Sequence, residues 1–289
     1  MKTSPLFNLK VLKSNSTQIF VVLPELQKTT IDLLNYCIEF LHSYQKITFL
    51  CSYFEVSFYR LLLNKSKTFS PFRDRLDVDI VNHFKLKEIQ AKECLIVYLS
   101  DGQAILESNK KAIFCAPDES SDIVFDEMGS EAGDVKIYYL KKMLAFLGIP
   151  DKKPFTSIEL SPSDIISSSS IASKLTEKKY CVIVIQNIIA AFKLSNFLKK
   201  NKLKKQLVVI SKTKLKATDP KLITFKDYNF LDFLAFQLQA VNISCSKPYQ
   251  YEKVINNLRI NLSFFATFKD TSHLLFDITE PKHGNNSSA

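Results

Sequence analysis

Apolar residues fall in two alternating patterns along this chain: short continuous runs that suit buried strands, and runs at helical spacing that suit amphipathic helices. The run at 18–23 (QIFVVL) predicts a strand that ends at Pro24. ELQKTTIDLLNYCIEFLHSY then places Leu26, Leu33, Leu34, Cys37, Phe40 and Leu41 on one helical face. A second strand is expected at 47–51 (ITFLC) and a second helix from Phe54 (FEVSFYRLLLN). This βαβα opening implies a parallel sheet with right-handed crossovers. Further strands are expected at 78–81, 95–99 and 112–115, and DIVFDE at 122–127 is a candidate sixth. DVKIYYLKKMLAFLGIP carries Ile137, Leu140, Leu144 and Leu147 at helical spacing, and Gly148 with Pro150 stops the helix.

DKKPF, at 151–155, is charged and interrupted by proline, so a domain boundary is expected after residue 150, separating units 1–150 and 151–289. The pattern then restarts. TSIELS at 156–161 reads as a strand, and Ser161 or Ser163 as the N-cap of a helix that the run Ser167, Ser168, Ser169, Ser170 interrupts. Residues 180–216 (YCVIVIQNIIAAFKLSNFLKKNKLKKQLVVISKTKLK) read as strand, amphipathic helix and strand. Strands follow at 221–225, 240–245 and from Leu262, with helices from Asn229 and Tyr251, and the last dozen residues are expected to fray. The fold class expected is α/β, two Rossmann-like lobes with parallel sheets, with ligand bound beyond the carboxyl ends of the strands in the cleft between lobes.

Composition narrows the chemistry. Five glycines in 289 residues exclude a glycine-rich phosphate loop. Six cysteines stand singly, without a CxxC pair, and read as buried free thiols of a reducing cytoplasm rather than as metal ligands. Neither a metal nor a cofactor is expected. Lys10 and Lys13 interrupt what would be the apolar core of a signal peptide, and no apolar run approaches the roughly 20 residues of a membrane span. Net charge is +10, and all of it lies in the second half, where 21 Lys and Arg face 11 Asp and Glu; before residue 151 the two signs balance at 18 each. Such asymmetry points to an anionic partner, against the plainer reading that lysines keep the surface soluble.

The densest charge is a set of ten lysines from Lys193 to Lys221, opposed only by Asp219. Lys199 to Lys205 would cluster at a helix C-terminus, where the macrodipole favours cations. Lys212, Lys214 and Lys216 would lie at the other end of the following strand. Strand ends therefore nominate Gln186, Asn187, Ser211, Lys212, Lys214, Ser246 and Lys247 as nucleotide- or phosphate-binding residues. The bland alternative is that loops after strands are polar anyway. Arg259 is the lone arginine of the second half and its aromatics are mostly phenylalanines in apolar runs, which weighs against nucleic acid as the partner. His42, His83, His273 and His283 are isolated, no GxSxG is present, and Asp77 with Asp79 read as strand residues, so no catalytic residue is nominated.

The order of elements resembles a family. LPELQKTTIDLLNYCIEFLHSYQKITFLCS after the first strand, DVKIYYLKKMLAFLGIP, and FLDFLAFQLQAVNISCSKPYQYEKVINNLRINLSFFA near the end are similar to the heptosyltransferases of lipopolysaccharide synthesis, which are two-lobed GT-B glycosyltransferases. The resemblance implies a nucleotide-sugar donor, an anionic glycolipid or glycan acceptor, and a cytoplasmic protein that touches the inner membrane surface. It departs from the family where the chemistry lies. The family's Gly-Asp pair after the first strand is here Leu23-Pro24-Glu25-Leu26; its Asp-Ser-Gly-x-x-His donor motif falls on Cys245-Ser246-Lys247-Pro248-Tyr249-Gln250-Tyr251; and its Lys/Trp segment is replaced by Ile188-Ile189-Ala190-Ala191-Phe192. A diverged transferase, a GT-B-like protein that binds without catalysis, and an unrelated polyanion-binding α/β protein all remain open.

Overall fold

The computed structural model describes residues 18–26, 28–101, 104–118, 120–123, 125, 134–150, 160–177, 179–245 and 267–279. The chain divides into two compact units, the first ending at Leu160 and the second beginning at Ser161. Residues 151–159, beside the expected boundary, lie outside the described residues.

In the first unit, strands β1 (Ile19–Val22), β2 (Ile47–Cys51), β3 (Leu76–Ile80), β4 (Leu95–Tyr98) and β5 (Ile113–Cys115) form one sheet in the order β3-β2-β1-β4-β5, with every pairing parallel. Helices α1 (Lys28–Ile38), α2 (Val56–Lys65), α3 (His83–Gln90) and α4 (Val135–Phe146) connect or flank the strands. β1 and β2 are buried at every position, as expected of parallel strands covered on both faces. Phe20, Val22, Leu50, Ile96 and Phe114 form a core with Ile89 of α3. α4 packs on α1, where the Lys141 ammonium lies 5.3 Å from the ring centroid of Tyr36. Of the candidate strand at 122–127, residues 122, 123 and 125 are described: Ile123 makes a single β-bridge, and beside it the Asp122 N–H donates to the Phe114 carbonyl at 2.7 Å while the Asp122 carboxylate accepts from the Phe114 N–H at 2.7 Å, closing the rim of β5.

The second unit holds α5 (Pro162–Ser168), β6 (Tyr180–Ile185), α6 (Ile188–Lys200), β7 (Leu207–Ser211), β8 (Leu222–Phe225), α7 (Phe230–Gln239), β9 (Ala240–Cys245), β10 (Thr267–Phe268) and α8 (Thr271–Ile278). Its sheet is also parallel, in the order β10-β9-β6-β7-β8. Read from β8, that is third, second, first, fourth, fifth, the same order as in the first unit and that of the first five strands of the dinucleotide-binding sheet. Strand alternation divides the core. Cys181, Ile183 and Ile185 face α6 and α8, whereas Tyr180, Val182 and Val184 face Phe236 of α7 and Ile171.

Ser161 is the N-cap of α5, its Oγ accepting from the Asp164 N–H at 3.1 Å, and the helix ends within the serine run. α8 falls on a segment for which the hydrophobic pattern predicted no element. It is held by Leu274 and Ile278, both fully buried, and by an antiparallel bridge between Thr279 and Leu203. Of the strand expected at 156–161, residues 156–159 lie outside the described residues, as does the helix from Tyr251, and the described remainder is not strand: Ser161 is the N-cap of α5. Cys37, Cys51, Cys94, Cys115 and Cys181 are buried free thiols. Among the described residues, no helix is long and apolar enough to cross a membrane.

Candidate functional site

A parallel sheet gathers the loops that follow its strands along one edge, and in the 3-2-1-4-5 order a crevice opens where the chain switches sides of the first strand. In the second unit the switch lies between β6 and β9. Ile185 pairs with Ser211 and Val184 with Cys245, so Gln186 and Asn187 emerge beside the 211–214 turn on one side and the end of β9 on the other. Neighbouring strands run about 4.8 Å apart, which makes these exits close neighbours.

Gln186 and Asn187 are exposed, but Asn187 has a structural task as the N-cap of α6, accepting from the Ala190 N–H at 2.7 Å. The Ser211 Oγ similarly accepts from the Thr213 N–H at 3.1 Å and shapes its turn. Lys212 and Lys214 are exposed at this edge. Ser246 and Lys247 lie outside the described residues. Lys199 and Lys200 occupy the last turn of α6, at the other end of a 13-residue helix about 20 Å long. The ten lysines therefore do not make one patch.

The corresponding edge of the first unit is acidic. Glu25 is exposed after β1, and Glu55, which precedes α2, is buried with 4% exposure. Glu55 Oε1 accepts from the Leu26 N–H at 2.8 Å and joins the loop after β1 to the loop after β2, whereas Oε2 is buried without a hydrogen-bond partner. Burial raises its pKa above the ordinary carboxyl range; the Leu26 and Ser52 hydrogen bonds oppose the rise, and the Glu25 charge adds to it. Further along, the buried Lys136 of α4 pairs with Asp101 after β4. The sequence pattern did not single out Glu55. Its signal is a lone carboxylate directly ahead of an apolar helix, at an N-cap position where the side chain makes no capping hydrogen bond and is left for Leu26.

The first unit also has a cavity of ≈ 260 Å³ between α3, Tyr98 and the 104–107 loop. Its inner polar groups are committed to the fold: Gln90 donates to the Ile105 carbonyl at 3.0 Å and accepts from the Glu107 N–H at 2.8 Å, and Asn82 caps α3. His42, His83 and His273 are exposed and separate, and among the described residues no group of three or more His, Cys, Asp or Glu could hold a metal ion.

No family model and no curated protein matches the chain. A solved structure, the E. coli heptosyltransferase WaaC with ADP, is similar over 79% of this chain and 80% of that one, with 8% identity and a TM-score of 0.38. A likeness that distant carries no function across. The architecture stands on the two parallel sheets themselves.

Proposed function

We propose that this chain is a GT-B-type glycosyltransferase-like protein whose second unit holds the diphosphate of a nucleotide-sugar, the sugar passing to an anionic envelope glycan or glycolipid. The observation that supports this most is the carboxyl edge of the second sheet. There Gln186, Ser211, Lys212 and Lys214 meet beside the switch strand, where amides, hydroxyls and ammonium groups can surround phosphate oxygens. In such a transfer an acceptor hydroxyl oxygen bonds to the anomeric carbon as the carbon–oxygen bond to the diphosphate breaks. The electron pair leaves with the nucleoside diphosphate, whose charge the lysines stabilise, and the hydroxyl proton passes to a base.

A second reading, binding without turnover, is favoured by the start of α6. Its first turn presents Ile188 and Ile189, and the Asn187 side-chain Oδ1 already accepts from the Ala190 N–H.

Thermal unfolding with a panel of nucleoside diphosphates and nucleotide-sugars tests the binding. A ligand at about 100 times its Kd adds about 2.7 kcal/mol, a rise in Tm of several degrees. Lys212→Ala with Lys214→Ala should remove most of that rise. No shift with any member of the panel overturns the proposal, and a shift with a nucleotide-sugar from which no nucleoside diphosphate is released selects the second reading.

A further inference from the structure

α6 buries an ordinary helical stripe, Ala191, Leu194, Ser195 and Leu198. That stripe already satisfies the core, yet the first turn carries a second apolar set facing water. Ile188 is 69% exposed, Ile189 66% and Phe192 65%. Positions 188 and 192, and 189 and 192, are four and three residues apart, so the three side chains share one side of the helix start. Scattered exposed apolar residues need no explanation, but a contiguous group does.

The rim of this group is basic. Lys193 lies in the same turn, and the Lys216 N–H donates to the Ser195 Oγ at 3.1 Å, which lays the turn bearing Lys212, Lys214 and Lys216 alongside α6. No Asp or Glu occurs from Tyr180 to Thr218. Asp219 is turned to the opposite edge, where it accepts from the Leu203 N–H at 3.1 Å, and Asp227 follows β8, one strand beyond β7.

Two features select the occupant. Three side chains are far short of the roughly 800 Å² per partner of a stable protein interface, and the centres of such interfaces are depleted in lysine. A short apolar tip ringed by lysines instead suits the boundary between acyl chains and headgroups, where apolar side chains enter and ammonium groups meet lipid phosphates. We propose that the first turn of α6, with the Lys212 to Lys216 turn, docks the second unit on an anionic bilayer surface. This goes beyond the nucleotide reading and stands even where no nucleotide binds.

Cosedimentation with vesicles of phosphatidylcholine, with and without phosphatidylglycerol, tests it. The full chain should bind only the vesicles that contain phosphatidylglycerol, and less as salt rises. Ile188→Ser with Phe192→Ser should weaken partition about tenfold or more, and each lysine removed from Lys212 and Lys214 about fivefold. Both pairs replace exposed side chains, and far-UV circular dichroism checks that the variants fold. The Ile188→Ser, Phe192→Ser protein should keep any nucleotide-dependent rise in Tm, which separates the apolar contact from the lysines that both readings share. Failure to bind, equal binding to both vesicle types, variants that match the wild type, or a self-association that Phe192→Ser abolishes would each overturn the proposal.

Discussion

Asp232 gives the serine run its purpose. The carboxylate is fully buried in α7, yet it accepts from the Ser169 Oγ at 2.7 Å, the Ser170 Oγ at 3.0 Å, the Ile171 N–H at 3.1 Å and the Asn229 N–H at 3.0 Å. A buried charge is tolerable only when so clothed. Asp232→Ala would orphan several donors together and should cost on the order of 3 kcal/mol in urea unfolding, with Asp232→Asn milder. The sequence shows four serines as a helix breaker, but not that an aspartate about 60 residues away would claim two of them. Glu55 is the contrasting case, with one oxygen unmatched. Its folded-state pKa is raised, so the folded chain holds this proton more tightly than the unfolded chain does. The stability it contributes is full below the ordinary Glu range and is lost as pH rises through the raised value. Glu55→Gln, neutral throughout, should gain in Tm relative to wild type as pH rises from the ordinary Glu range through the raised value. A difference that does not change with pH would refute this account.

At the level of elements, legibility followed the strength of the local signal. The helix at 135–146 was readable because its end is written twice. The Gly148 and Ile149 N–H groups donate to the Ala145 and Leu144 carbonyls at 3.0 and 2.9 Å, and Gly148 takes a φ of 74°, the left-handed conformation that this closure needs. A Cβ there would meet no atom within 4 Å, so Gly148→Ala isolates the backbone strain; it should cost about 1 kcal/mol in denaturant unfolding. α8 was missed because eight residues near a chain end carry little periodicity, and its anchors Leu274 and Ile278 acquire meaning only from the sheet they cover. Of DIVFDE, which reads as a strand by alternation, the described residues show one β-bridge residue, Ile123, beside an Asp122 side chain that accepts from the Phe114 N–H of β5.

For the molecule as a whole, alternating runs sufficed to predict two α/β units with parallel sheets, since parallel strands covered on both faces must be apolar throughout. The sharing of one strand order by both sheets was not readable, because pairing order leaves no mark on periodicity. The strand ends themselves were legible, with Gln186 following β6 and Lys212 following β7. What the pattern hid was the division of labour there, with Asn187 and Ser211 shaping their own turns and three apolar residues of α6 turned outward.

The buried thiols turn the chain into its own recorder. Burial raises the pKa of Cys37, Cys51, Cys94, Cys115 and Cys181, that of Cys94 to about 12, so the reactive thiolate is scarce until the surrounding structure opens. Four of them report on the first unit and Cys181 on the second. Pulsed alkylation in rising urea, read peptide by peptide by mass spectrometry, should modify Cys37, Cys51, Cys94 and Cys115 together if the first unit opens cooperatively. The moment at which Cys181 joins them dates the opening of the second unit on the same clock, with no added probe.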